Sequence, residues 1–123
     1  GQSQFASPAW SEAVETEPIR IAQASIHAEP GADLSIAALA ARAGMSERNF
    51  VRVFTREVGE SPGRYVEKVR VAAASEALSS RTSGVATIAN EMGFGTSETM
   101  RRAFLRQLGV PPNHYRKRFT HAH

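Results

Sequence analysis

One helical unit is spelled twice in this chain, and that repetition restricts its fold more than any other feature. GMSERNFVRVFTREVG, residues 44–59, returns as GFGTSETMRRAFLRQLG, residues 93–109. Past one inserted residue, Gly95, the positions Phe54, Arg56, Gly59, Pro62 and Tyr65 match Phe104, Arg106, Gly109, Pro112 and Tyr115 at a constant offset of fifty. Ahead of each copy an alanine and a glycine stand four apart, Ala40 with Gly44 and Ala89 with Gly93. The small residue lets the next helix cross closely and the glycine makes the turn, so the pair recurs for a geometrical reason.

The apolar spacing around these motifs predicts an all-α protein of seven helices, with two helix-turn-helix subdomains joined by a long linker helix. Residues 1–16 mix Gln, Ser, Pro, Ala and Glu without period and read as a flexible linker, in which Trp10 and Phe5 dock locally. Pro18 suits the first turn of a helix carrying Ile19, Ala22, Gln23 and Ile26, which Glu29-Pro30-Gly31 stops. Ser35 is the expected cap of a helix over 36–43, and Ser46 of a second one running to Val58, with Phe50, Val53, Phe54 and Val58 inward. After Pro62 the linker helix runs to Leu78 or Ser79. Val85, Ile88, Ala89 and Met92 then repeat the first stripe, and Thr96 repeats Ser46 as cap. The expected organisation is therefore a linker over 1–16, a first subdomain with the linker helix over 17–79, a second subdomain over 80–119 and a disordered tail over 120–123.

Charge is distributed unevenly along this framework. Residues 1–33 hold five acids and one base, whereas residues 34–123 hold fourteen bases against seven acids, and no acid follows Glu98. A basic body favours a polyanionic partner, because each phosphate it neutralises releases condensed counterions. Of the fifteen bases only Lys68 and Lys117 are lysine. Guanidinium grips a phosphate or a guanine edge with two parallel hydrogen bonds, so the arginine bias points to nucleic acid. With no cysteine in the sequence, disulfides, thiolate nucleophiles and zinc–thiolate sites are excluded. No run of 18 or more apolar residues is present, and GQSQFASPAW has neither the charged end nor the apolar block of a signal peptide. With glycine rather than methionine at position 1, the chain is expected to be a piece of something longer.

Placing residues at about 100° each around the second helix of either unit separates core from surface. In the first copy Arg48, Arg52, Thr55 and Arg56 point away from the core. In the second Glu98, Arg102, Leu105 and Arg106 do, with Ser97 and Arg101 on a flank. A helix with guanidinium and short polar groups along its exposed face, set steeply on a partner helix, fits a major groove. Two readings of the face remain open. Glu98 and Arg102 form a helical ion pair worth roughly 0.3 kcal/mol and nothing more, or they belong to a reading surface. A linker helix of about 18 residues spans roughly 27 Å, and successive major grooves on one face of a duplex lie about 34 Å apart. One chain is thus expected to place its two reading helices in adjacent grooves, on an operator of about two turns. Because Glu98 stands where the first copy has Arg48, and Arg101 where it has Val51, that operator is expected to be asymmetric. The rival expectation is a helical interaction module whose basic faces bind an acidic protein partner.

The second copy, IANEMGFGTSETMRRAFLRQLGVPPNHYRKRF, resembles the signature segment of the AraC/XylS family of bacterial transcription regulators. There a glycine-phenylalanine turn precedes the reading helix and a Gly-Val-x-Pro-x-x-Tyr-Arg close follows it. The likeness covers about residues 17–119. SERNFVRVFTREVG, SETMRRAFLRQLG and GQSQF are more similar to the GlxA-type branch, whose members carry an amino-terminal domain like PfpI proteases and glutamine amidotransferases. The resemblance implies sequence-specific binding of double-stranded DNA, a cytoplasmic, nucleoid-associated location, RNA polymerase as a further partner, no membrane partner and no cofactor. Effector binding and oligomerisation would lie in the amino-terminal domain. Family base contacts fall on the third, sixth and seventh residues of each reading helix, counting the cap as one. Here these are Arg48, Val51 and Arg52, then Glu98, Arg101 and Arg102, with Ser97 beside them. Val51 offers an apolar contact, and Glu98 either accepts from a cytosine amine or orients Arg102. Ser46, Arg56, Thr96, Arg106, Arg116, Lys117 and Arg118 are the expected phosphate contacts.

Other residues carry no chemistry in this reading. His27, His114, His121 and His123 lack metal-ligand spacing apart from the i, i+2 pair at the end. Tyr65 and Tyr115 are expected to pack, and Met45 and Phe94 to plug the core beneath the turns. No glycine-rich phosphate loop follows a strand and no carboxylate pair marks a pocket, so no enzymatic activity is expected.

Overall fold

The computed structural model describes the backbone of residues 6–120 and the side chains of residues 17–118. It contains α1 (Ala6–Ala28), α2 (Ile36–Ala43), α3 (Glu47–Val58), α4 (Pro62–Ser80), α5 (Val85–Glu91), α6 (Ser97–Leu108) and α7 (Pro112–Thr120). Among the described residues there is no strand, as the spacing predicts. The elements fall into two compact units, one formed by residues 1–28 with 34–64 and the other by 29–33 with 65–123. The linker helix, expected to close the first subdomain, groups with the second unit beyond Arg64.

In the first unit α1 and α2 both pack on α3. Ile19, Ala22, Ile26, Leu39, Ala40, Phe50, Val53 and Phe54 are buried there, on the stripes the sequence sets out. The rings of Phe50 and Phe54, one helical turn apart, lie 5.6 Å between centroids in a tilted arrangement. The start of α1 differs from expectation. Residues 1–16, read as a linker, are helical from Ala6 onward, and Pro18 sits inside the helix rather than in its first turn. ASPAWSEAVETE is rich in alanine and glutamate, both strong helix formers, and a single proline removes one backbone donor without ending such a run. Phe5 and the side chain of Trp10 lie outside the described residues, as do residues 121–123.

In the second unit Val71, Ala74, Ala77 and Leu78 of α4 meet Ile88 and Ala89 of α5 and Met100, Ala103 and Phe104 of α6 in one buried cluster. Val85, Met92, Phe94 and Tyr115 pack against it. Tyr115 meets Phe104 edge-on at 6.1 Å and 78°, the packing role expected of it. Ala40 and Ala89, the small residues of the two repeats, are each almost wholly buried, at 1% and 0% exposure.

The two turns are built alike. Met45 N–H donates to Ala40 O at 3.0 Å and Phe94 N–H to Ala89 O at 2.9 Å, the six-residue closure of a Schellman turn. The inserted residue falls after this closure, where Gly95 adopts φ +85°. Only glycine enters that region at no steric cost, and the extra residue is absorbed before the next helix begins. α5 ends at Glu91 with Met92 as its cap, one position earlier than the match of Gly93 with Gly44 predicts.

A connector also serves the second unit. Residues 29–33, which the sequence presents as a helix stop, reach across to α4 and the end of α5. Arg70, half-buried on α4, donates through Nε to Pro30 O at 2.7 Å and through Nη2 to Ala32 O at 3.0 Å. Burial lowers the guanidinium pKa, opposed by the nearby charge of Asp33. A Cβ on Gly31 would stand 2.0 Å from Glu91 O, so this residue has no side chain because the backbone of α5 already occupies the space.

Candidate nucleic-acid interface

The helices α3 and α6 each begin with a hydroxyl cap. Ser46 Oγ accepts from Asn49 N–H at 3.2 Å, and Thr96 Oγ1 accepts from Thr99 N–H at 3.1 Å. These bonds satisfy one of the free donors at each helix start and fix where the exposed first turn begins. Ser46 Oγ takes part in this bond as acceptor. Thr96 Oγ1 also donates to Thr99 Oγ1 at 2.9 Å. Both helices end at a glycine of positive φ, Gly59 and Gly109, so two exposed faces of equal length result.

On α3 the arginines stand clear of the core. Arg48, Arg52 and Arg56 are exposed, while Val51 is half-buried. Arg52 Nη2 donates to Asn49 Oδ1 at 2.6 Å, a bond to a neutral group that leaves the positive charge of Arg52 uncancelled. Arg56 pairs with Glu57 at 3.2 Å. The face therefore presents Arg48 and Arg52 four residues apart, on adjacent turns of one side.

On α6 the arrangement is tighter. Ser97, Glu98, Arg101 and Arg102 are all exposed. Arg101 donates to both carboxylate oxygens of Glu98, Nε to Oε1 at 2.9 Å and Nη2 to Oε2 at 2.8 Å. Arg102 Nε adds a third bond to Oε2 at 3.0 Å. Hydrogen bonds from Arg101 first, and then from Arg102, hold the Glu98 carboxyl at a pKa of about 2. The same contact raises the pKa of Arg101. The sequence points to a Glu98–Arg102 pair; the bidentate bond from Arg101, three residues on, is the part it did not single out.

The expected phosphate contacts divide into two sets. Lys117 and Arg118 are exposed on α7, beside an open hollow of about 560 Å³ that they line with Val110 and His114. Arg106 and Arg116 are engaged within the second unit. Arg106 is ion-paired with Glu67 of α4, with Nε to Oε2 at 3.0 Å, and Gln107 Nε2 donates to the other oxygen at 2.9 Å. Arg116 donates to Leu78 O at 3.1 Å and Arg81 O at 3.2 Å, satisfying carbonyls at the end of α4. Both tie their helices to the linker helix. Their partners lie 35 to 39 residues away, so local spacing holds no signal for either contact. Among the described residues no group of three or more His, Cys, Asp or Glu is placed to hold a metal ion.

The chain is similar in sequence and fold to known proteins. A family model described as a helix-turn-helix domain matches residues 39–118. The HTH-type transcriptional regulator Rv1931c of Mycobacterium tuberculosis is 55% identical over 85 residues, 69% of this chain and 33% of that protein. A putative AraC-like transcription regulator of Streptomyces lividans is 30% identical over 111 residues, 90% of this chain and 36% of that protein. The chain thus spans about a third of the length of these curated relatives. Among solved structures, the DNA-binding domain of AdpA, a global transcriptional factor crystallised with a target DNA, superposes at a TM-score of 0.74 and 30% identity. That match covers 88% of this chain and 94% of the other.

Proposed function

Since the chain belongs to the helix-turn-helix family of AraC-type regulators, we propose that it binds double-stranded DNA sequence-specifically, as the DNA-reading part of a bacterial transcription regulator. The observation that carries this reading is the pair of equivalently capped helices, α3 and α6, each with its apolar side buried and an arginine pair on its exposed side. In the proposed mode each helix enters a major groove, the two grooves being adjacent on one face of the duplex. Arg48 and Arg52 then meet base edges from α3, and Arg101 and Arg102 do so from α6. Ser46, Arg56, Lys117 and Arg118 meet phosphates and set the register. The operator is asymmetric, because the two faces differ in both charge and shape.

The further assignments follow the resemblance in sequence. They are a GlxA-type parent with a PfpI-like amino-terminal domain, effector control through that domain, RNA polymerase as second partner, and action at the nucleoid. Selection of bound sequences from a random duplex pool, followed by titration in salt, tests the DNA reading. With six to ten phosphate contacts the affinity for the selected site falls by about 10³ to 10⁵ between 50 and 200 mM salt. Weak and equal binding to every duplex would sink the reading, and tight binding to an acidic protein in its place would support the rival interaction module.

A further inference from the structure

We propose that Glu98 is a positioning residue for sequence selection by α6. It presents Arg101 and Arg102 as one fixed pair and weakens the attraction of α6 for DNA of any sequence, without itself touching a base. This rests on the DNA-binding reading above. Both Glu98 oxygens are occupied: Oε1 by Arg101 Nε, and Oε2 by Arg101 Nη2 and Arg102 Nε, all within 3.0 Å. An ionised carboxylate offers about four acceptor directions, so little capacity is left for the amine of a cytosine. Each arginine keeps further N–H groups on its outward side for a guanine edge. Ordering a long side chain before contact reduces the entropy lost on binding, and donors held in place cannot swing to suit a mismatched edge, so the matching base pair gains more.

The charge balance works in the same direction. One negative charge sits among two positive ones on an exposed surface, where nonspecific affinity depends on how many phosphates are neutralised. The corresponding position of α3 holds Arg48, and Arg52 there bonds to neutral Asn49. The two faces are thereby set differently: that of α3 adds a general attraction for phosphate to its base contacts, whereas that of α6 gives up part of that attraction for selectivity.

The test compares the wild type, Glu98→Gln, the double variant Arg101→Ala/Arg102→Ala, and the triple variant combining all three. All sites are exposed, and a thermal melt verifies that each protein is folded. Each protein is taken through selection from a random duplex pool and through salt titration on one random duplex. Glu98→Gln is expected to bind the random duplex more tightly, with a salt slope steeper by up to about 0.9. That slope corresponds to about threefold extra loss between 50 and 200 mM salt. Its preference at the base pairs under α6 falls about tenfold, while that under α3 is kept. In the arginine-free background the glutamine substitution leaves selectivity unchanged, since its effect on base preference passes through the arginines, while the negative charge it removes still raises random-duplex affinity. Loss of preference for a cytosine alone, with random-duplex affinity and slope unchanged, would mean that Glu98 reads a base directly and overturns the proposal. So would unaltered selectivity, or an effect on selectivity that persists without the arginines. A wild type that selects no sequence is a separate result, and it removes the DNA-binding reading itself.

Discussion

Arginine stands in two different settings in this chain, and its surroundings decide what it can do. Arg102, exposed and held only by a carboxylate on its own helix, is free to turn its remaining donors outward. Arg116, bonded to the main-chain carbonyls of Leu78 in α4 and of Arg81 just past its end, is a structural cap. Replacing Arg102 with alanine is expected to cost about 1 to 3 kcal/mol of binding at one base pair and to leave thermal stability unchanged. Arg116→Ala should do the reverse, lowering stability by roughly 1 to 2 kcal/mol through the lost hydrogen bonds, with sequence preference intact. Melting curves and a base-substitution series, run on both variants, separate these outcomes. Glu98 adds a signature in pH. Its folded pKa of about 2 lies below the ordinary 4.5, so the stability it contributes is fully present above 4.5 and is lost as pH falls toward 2. A carboxyl titration followed by NMR should show this midpoint in the wild type and a normal one once Arg101 and Arg102 are both alanine.

The helices themselves follow from short-range rules, which is why the sequence discloses them well. Ser35, Ser46 and Thr96 cap the helices they were expected to cap, and Phe50, Phe54, Ile88, Met100 and Phe104 are buried on the predicted stripes. What spacing does not disclose is contact between distant segments. Gly31 reads as a helix stop, yet its hydrogen faces the backbone of α5 sixty residues on. Arg70 reads as one more surface base, yet it brackets the connector. Nothing periodic marks either role, because each depends on where a remote element is placed. Two glycine substitutions bring out the contrast. Gly31→Ala forces a methyl group against Glu91 O and should destabilise by about 1 to 3 kcal/mol or more. Gly63→Ala, in the first turn of α4 with nothing within 4 Å, should stabilise by about 0.5 to 1 kcal/mol by restricting the unfolded chain. Chemical denaturation of both variants measures the two signs against each other.

At the scale of the whole chain, repetition and connectivity diverge. The repeat suggests two consecutive cassettes, but the path of the backbone passes from one unit to the other after Ala28, after Asp33 and again after Arg64. The second unit therefore includes five residues that precede most of the first. Cleavage near Arg64 gives fragments 1–64 and 65–123, of which the first retains the peptide carbonyls that Arg70 holds and the glycine that fits beneath α5. The severed halves should consequently complement each other, co-eluting and regaining helical signal when mixed. Removal of residues 29–33 from the first fragment should abolish that recovery. A connector that reads as a pause between helices would then be the plug by which one half of the molecule recognises the other.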